Sequence, residues 1–417
     1  MIEERLDRQM RIEGWDQQKL SNAKIAVIGD DKMTLSMYIA SSAALGINNQ
    51  LVIASSLENK IVEIGKKINP NLELGILEGY FVHREMKNLL QDCSAIVDFS
   101  NYNLAKKLLI EFAWQNQKPL IMVNTENGEA KIFTYFNGRE WQEILEVMPK
   151  NALPEENETN LILSIIASGI ALEETKNVLM NKSTSKQVIR YKTQEISEEE
   201  HEKLRKKKVL IVGAGALGNF VALGLGYLGI ENIDIMDPDV IESTNLNRQI
   251  LFYDAVGKEK AYTLAERINE IFKTKARGIK DYFTYKTSIS DYDVLFDCVD
   301  NFETRIIMSE KCKENKKCLI SGGTSYKAGQ VVCYNPNISN QTPAELLDLY
   351  KIVDKRKIED YRRNRASCTY QPDPSVIMSN QIIAGIMVDK FLTLYNPDKC
   401  QQKIIYYDAE LDKKIGS

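Results

Sequence analysis

The stretch KVLIVGAGALGN, residues 208–219, is an apolar run that ends in three glycines, Gly213, Gly215 and Gly218. Glycines so spaced after a strand permit a tight turn. They also let a phosphate group approach the backbone where the next helix begins. Asp237 and Asp239 follow in DPD at the end of the next apolar run. An acidic residue about 20 positions past the turn is placed to hold ribose hydroxyls. To this point a dinucleotide site for hydride transfer fits equally well. The next residues point elsewhere. NLNRQ sets Asn245, Arg248 and Gln249 just beyond the ribose carboxylate, and Lys260 opens the following helix. DCVDN then puts Asp300 and Asn301 at the carboxyl end of another strand, where open α/β sheets bind ligands. Two cations and a carboxylate suit a nucleoside triphosphate with magnesium. Transfer at phosphorus needs mainly positioning and charge neutralisation. Taken singly, each of these residues reads as a solvated or helix-capping side chain; their order after the glycine turn carries the meaning.

These residues lie in the second of two sequence copies. KIAVIGDDKMTL in the first copy matches KVLIVGAGALGN but keeps only Gly29. AALGI matches GYLGI, and AIVDFSNYNLAKKLL (95–109) matches VLFDCVDNFETRIIM (294–308). The first copy runs 22 positions from Gly46 to Ile68, where the second runs 39 from Gly229 to Ile268. The difference falls on the segment that carries NLNRQ and Lys260. Near its start the first copy has RLDRQ, with Arg8, and the second has RYKTQ, with Thr193 in that place. Strands alternating with helical patterns imply βαβ units and a mostly parallel sheet. Each copy closes with a long apolar helix, at 161–180 and 376–394. The expected fold is therefore α/β, with two tandem Rossmann-like domains forming a pseudo-dimer. Their expected extents are 1–184 and 185–417, divided near the polar NKSTSKQ. One nucleotide site per chain, completed by Arg8 from the degenerate copy, explains why each half lacks what the other keeps.

From Arg190 onward the GAGALG turn, DPD, NLNRQ, the lysine of GKEKA and the DN of CVDN together resemble the ThiF/MoeB/HesA superfamily. That superfamily includes the activating enzymes of ubiquitin and ubiquitin-like proteins. The first copy, from Arg5 to about Met180, resembles the same ThiF-type fold with its site erased. The resemblance implies ATP-dependent adenylation of the carboxyl-terminal glycine of a small protein or peptide. By the same resemblance Asp237 holds ribose, Asn245, Arg248 and Lys260 contact phosphates, Asp300 binds Mg²⁺, and Arg8 acts as an arginine finger. Zinc, which many members hold with two CxxC pairs, is not expected here.

Adenylate is either the end product or an intermediate passed to a thiol. Cys368 follows Arg362, Arg363 and Arg365 in a polar stretch before the last helix, and neighbouring cations lower a thiol's pKa. The stretch resembles the loop of activating enzymes for autophagy-type modifiers, whose thioester cysteine precedes a similar helix. The leading expectation is thus activation of a ubiquitin-like protein with a thioester on Cys368 and hand-over to a conjugating enzyme. The alternative is an adenylyltransferase without a thioester, acting on a sulfur-carrier protein or a ribosomal precursor peptide. A nucleotide-binding scaffold is the non-enzymatic reading. Segment 335–366 is expected to cross over the bound tail.

Composition sets bounds on partners and compartment. The chain has 417 residues, 44% hydrophobic and 27% charged, with a net charge of −4. No general basic field points to nucleic acid. The apolar run at 161–172 is short for a membrane span. Seven cysteines without CxxC pairs and an amino terminus without an apolar export core suggest a cytoplasmic protein.

Overall fold

The computed structural model describes residues 4–136, 141–155, 160–353, 373–400, 403–411 and 414–416. Two sheets form the frame. The first contains β1 (Lys24–Gly29), β2 (Asn49–Ala54), β3 (Glu73–Glu78), β4 (Ala95–Phe99), β5 (Leu120–Asn124), β6 (Glu129–Tyr135) and β7 (Ile189–Lys192). Its order is β3-β2-β1-β4-β5-β6-β7. Pairing is parallel through β5 and antiparallel at β6 and β7. The second sheet contains β8 (Lys208–Val212), β9 (Asn232–Met236), β10 (Arg277–Ile279), β11 (Val294–Asp297), β12 (Cys318–Thr324), β13 (Ala328–Tyr334), β14 (Ile404–Asp408) and β15 (Ile415–Gly416). It repeats the permutation as β10-β9-β8-β11-β12-β13-β14-β15. The tandem α/β, Rossmann-like expectation is met. Between β1 and β4, and again between β8 and β11, the strand order reverses. Such reversals open a crevice at the carboxyl ends of the strands.

The central strands β1 and β8 are buried along nearly their whole length, as their unbroken Ile/Val runs require when helices cover both faces. The strand β7 belongs to the first sheet although it lies past residue 184, where the sequence places the division. The chain then enters the second copy through helix Glu198–Arg205, started by a reciprocal capping box between Ser197 and Glu200.

The two long helices Leu161–Leu179 and Ile377–Thr393 pack on each other and are buried over almost all of their length. Both are mostly apolar, with no continuous polar face for solvent, and their charged residues stand toward the carboxyl ends. They cross at glycines. A Cβ on Gly169 would come 2.8 Å from Ile382 Cγ1, and one on Gly385 would come 2.5 Å from Ile166 Cγ1. Gln381 Nε2 donates across the crossing to Ile165 O (2.9 Å) and Ser168 Oγ (2.7 Å). One continuous apolar core takes in residues of both copies. Each half also buries one ion pair at the matching place: Lys106 with Asp98 (2.9 Å), and Arg305 with Asp297 (3.2 Å).

Candidate nucleotide site

The turn after β8 owes its shape to its glycines. Gly213 adopts φ +98°, and a Cβ there would lie 2.6 Å from Cys298 O. A Cβ on Gly218 would lie 2.0 Å from Gly213 O, so only glycine permits this closeness. Gly215 differs, because a Cβ on it would meet nothing nearer than Gln249 Nε2 at 3.9 Å. It is the N-cap of helix Ala216–Tyr227 and supplies no side-chain cap. The first N–H groups of a helix lack intrahelical partners and carry partial positive charge. Here no side chain caps them. Gln249, also at this place, is buried, and its Oε1 has no hydrogen-bond partner among the described residues.

Asp237 sits at the end of β9 and ties the neighbouring loops together. Its Oδ2 accepts from Ala214 N–H (2.7 Å) and its Oδ1 from Asp239 N–H (2.9 Å). Burial pushes its carboxyl pKa up, and the Lys260 charge pulls it back. Lys260 is itself buried, with Nζ 3.0 Å from Asp239 Oδ2. It begins helix Lys260–Phe272, where the helix dipole disfavours a cation. The Asp239 carboxylate offsets that cost.

Arg248 is buried. One guanidinium nitrogen donates to Thr244 O (2.9 Å) and Asn247 Oδ1 (2.7 Å). Burial, followed by the nearby charge of Arg8, pushes its pKa down to about 9, while Glu242 and Asp300 act in the opposite sense. Arg8, Arg248 and Asp300 therefore share one electrostatic locus, although Arg8 comes from the other half. Arg8 Nη1 donates to Asp373 O (2.9 Å) just ahead of the last helix. Asp300 is exposed beyond the end of β11. A single carboxylate of this kind suits Mg²⁺, which takes most of its ligands from phosphate and water.

Two expected site residues have local duties. Asn245 Oδ1 accepts from Glu242 N–H (3.0 Å) and shapes the short turn Ser243–Asn245. Asn301 accepts from Thr304 N–H (2.9 Å) as the N-cap of helix Phe302–Glu314. Cys368 and its preceding arginines lie outside the described residues. The other six cysteines are buried; burial raises the Cys298 thiol, for example, well above its ordinary range. Two further residues, Gln9 and Asn247, join the site without having stood out as candidates in the sequence. Both stand inside the motifs RLDRQ and NLNRQ, and both are fully buried.

The matching place in the first half is furnished differently. Asp31 stands where Gly215 does, Thr34 where Gly218 does, Ala54 where Asp237 does, and Asn101 where Asp300 does. Asp31 caps helix Lys32–Leu45, accepting from Thr34 N–H (3.0 Å), from Thr34 Oγ1 (2.7 Å) and from the Thr125 hydroxyl. Asn101 exchanges hydrogen bonds with Thr125 (3.0 and 3.1 Å). Asp30 accepts from Asn101 N–H (2.8 Å), and burial pushes its pKa up to about 6. Thr193, in the position matching Arg8, donates through both its N–H and its hydroxyl to Gly128 O (2.9 Å each).

Comparison with known proteins finds the following likenesses. The adenylyltransferase and sulfurtransferase MOCS3 of Dictyostelium discoideum is 38% identical over 134 residues, 31% of this chain and 32% of that protein. A probable molybdopterin-synthase adenylyltransferase of Porphyra purpurea is 36% identical over 150 residues, 34% of this chain and 38% of that protein. The chain thus spans about a third of the length of these curated relatives. A crystal structure of E. coli MccB with MccA-N7isoASN has a TM-score of 0.43 and 23% identity, covering 52% of this chain and 65% of that one. The family model of the ThiF family matches residues 187–411, more than half of the sequence. With its glycine turn, Asp237, Arg248, Lys260 and Asp300 all inside that match, the chain belongs to the ThiF family.

Proposed function

We propose that the chain is an ATP-dependent adenylyltransferase that activates the terminal carboxylate of a small protein or peptide. Two linked observations support this reading: Arg8 and Asp300 act electrostatically on buried Arg248, and Asp237, which Lys260 influences, accepts from Ala214 N–H in the glycine turn. In this reading Asp237 holds the ribose and the helix start holds phosphate. A carboxylate oxygen of the substrate attacks the α-phosphorus, an acyl–phosphate bond forms, and the bond to pyrophosphate breaks with its electron pair on the departing oxygen. Charge grows on phosphate oxygens that the two arginines and Lys260 neutralise, without reorganisation at the moment of reaction. Mg²⁺ would be held by Asp300 and would screen the triphosphate. One half supplies the nucleotide groups and the degenerate half supplies Arg8, giving one composite site per chain.

Of the two fates for the adenylate, we favour release or transfer without an enzyme thioester. Both curated relatives are named for adenylyl transfer, and the Dictyostelium protein for sulfur transfer as well, which supports a sulfur-carrier protein or a peptide as substrate. The second reading keeps a ubiquitin-like substrate, a thioester on Cys368 and a conjugating enzyme. It is favoured by the three arginines at 362, 363 and 365. An ATP–pyrophosphate exchange assay with small glycine-ending proteins encoded beside this gene, run alongside a non-reducing gel, tests the choice. Exchange that survives Cys368→Ala, with no thiol-sensitive adduct, is expected. An adduct lost in that variant would establish the thioester, and absence of exchange with every such tail would leave a scaffold.

A further inference from the structure

Gln9 and Asn247 meet across the two halves. Gln9 Nε2 donates to Gln17 Oε1 (2.6 Å) and Leu45 O (2.8 Å), which seats it in the first half. Its Oε1 accepts from Asn247 Nδ2 (3.0 Å) in the second. Asn247 Nδ2 also donates to Ser375 O (3.2 Å), and Ser375 N–H donates back to Arg8 O (3.4 Å). The remaining Asn247 atom, Oδ1, accepts from Arg248 Nη1 (2.7 Å). The amide orientations are dictated by their partners, because the carbonyls of Leu45 and Ser375 can only accept and a guanidinium can only donate. A closed ring thus runs from Arg8 through Ser375 and Asn247 to Gln9, the residue next to Arg8, and Arg248 hangs from it.

We infer that Gln9 and Asn247 are positioning residues that hold the two arginines of opposite halves in register for one triphosphate. The inference rests on the ATP-site reading above and extends it to residues that touch no phosphate. Two guanidinium groups in one locus repel each other, and each needs fixed acceptors to stay aimed. For Arg248, one of those acceptors is Asn247, which Gln9 in turn orients. The first half lacks the segment matching 243–249 and with it any counterpart of Asn247.

The test is calorimetric titration of the full chain with Mg²⁺–ATP and, separately, AMP. Asn247→Leu should weaken ATP roughly tenfold or more, and Gln9→Met roughly three- to tenfold, in line with loss of a hydrogen bond to a charged and to a neutral group. AMP binding should not change, because the arginines face the outer phosphates. In an Arg248→Ala background, Asn247→Leu should cost clearly less than it does alone, because only its effect through Arg8 remains. Equal losses for ATP and AMP, or losses that add in full to that of Arg248→Ala, would reduce the pair to ordinary packing and overturn the inference. If Asn247→Leu does not fold, Gln9→Met from the other half decides the matter by the same two titrations. Wild-type chain that fails to bind ATP would overturn the site reading as well. Wild-type binding that Arg248→Ala weakens, but neither ring variant does, overturns the ring alone.

Discussion

Gly215 and Asp31 hold the same position at the start of the first helix in their respective halves, and they handle the same electrostatic problem in opposite ways. Four N–H groups at a helix start lack partners within the helix. In the second half Gly215 leaves them open, with space above the glycine. In the first half the Asp31 carboxylate caps them, braced by Thr34 and Thr125. The first half thus carries its anion at the helix start as one of its own side chains. An Asp N-cap is worth about 1 kcal/mol, so this arrangement stabilises the half that supplies Arg8. The neighbouring substitutions agree. Asn101 in place of Asp300 avoids a further negative charge beside Asp30 and Asp31 and bonds to Thr125. On the proposed reading, one copy of the turn serves the nucleotide and the other serves stability.

Removing the contribution of one half to the other should have the largest effect. Arg8→Ala is expected to reduce ATP–pyrophosphate exchange by about 10³- to 10⁵-fold, the scale of arginine fingers in phosphoryl transfer, with the fold retained by circular dichroism. Near-normal exchange would break the division of labour. Next, Gly215→Asp copies the first half's device into the second. A carboxylate on the helix start should compete with phosphate and lower Mg²⁺–ATP affinity by roughly a hundredfold or more, on the strength of several charge-assisted hydrogen bonds. The reciprocal Asp31→Gly should create no second site, because the first half has no counterpart of Asp237, Arg248 or Lys260. A calorimetric stoichiometry of two nucleotides per Asp31→Gly chain would show that the cap alone closes that turn.

Smaller effects sharpen the electrostatics. Arg248 has its pKa depressed to about 9 by burial and by Arg8. Its charge is present below that pH and lost as pH rises through it. ATP affinity should accordingly fall between about pH 8 and pH 10, and Arg248→Ala should flatten the profile; an unchanged slope in that variant would assign the titration elsewhere. Asp30 is the inverse case in the first half. Burial raises its pKa from 3.8 to about 6. The folded state thus holds a proton that the unfolded chain has released, and stability from this group is lost as pH rises from about 4 through 6. Asp30→Asn should stabilise the chain at pH 7 by on the order of 1–3 kcal/mol, with the gain shrinking towards pH 4. A melting-temperature difference that does not vary over that range would contradict the assignment.

The sheets and the crevice were legible in the sequence because they rest on local signals. Unbroken Val/Ile runs marked β1 and β8, and the glycine spacing marked the turn after β8. The repeat then carried the order of elements along one copy over to the other. The long helices 161–180 and 376–394 were legible as buried for want of a polar face. Gln9 and Asn247 were not legible as partners. Their hydrogen bonds join positions 238 residues apart, and no periodicity encodes a contact between two amides. Asp31 was visible as a substitution for glycine, but its role depends on Thr125, which arrives from β5 across the crevice. The membership of β7 in the first sheet escaped for a related reason. A short edge strand follows its pairing partner, and the repeat assigned RYKTQ to the start of the second copy. No helix among the described residues is long and apolar enough to cross a membrane.

The glycine crossing of helices Leu161–Leu179 and Ile377–Thr393 has a consequence for ancestry and assembly. Two duplicated chains with such similar contact helices, if expressed separately, would sort into three kinds of pair: two working halves, two degenerate halves, and one of each. On the proposed reading, pairs of first halves would lack the nucleotide groups, and pairs of second halves would present Thr193 in the position of Arg8. Joining the copies in one polypeptide makes the mixed pairing intramolecular, at the high effective concentration of a short tether. Every molecule then carries one of each half, whatever the expression level. On the proposed single-site reading, such a fused chain needs only one complete site between its two halves.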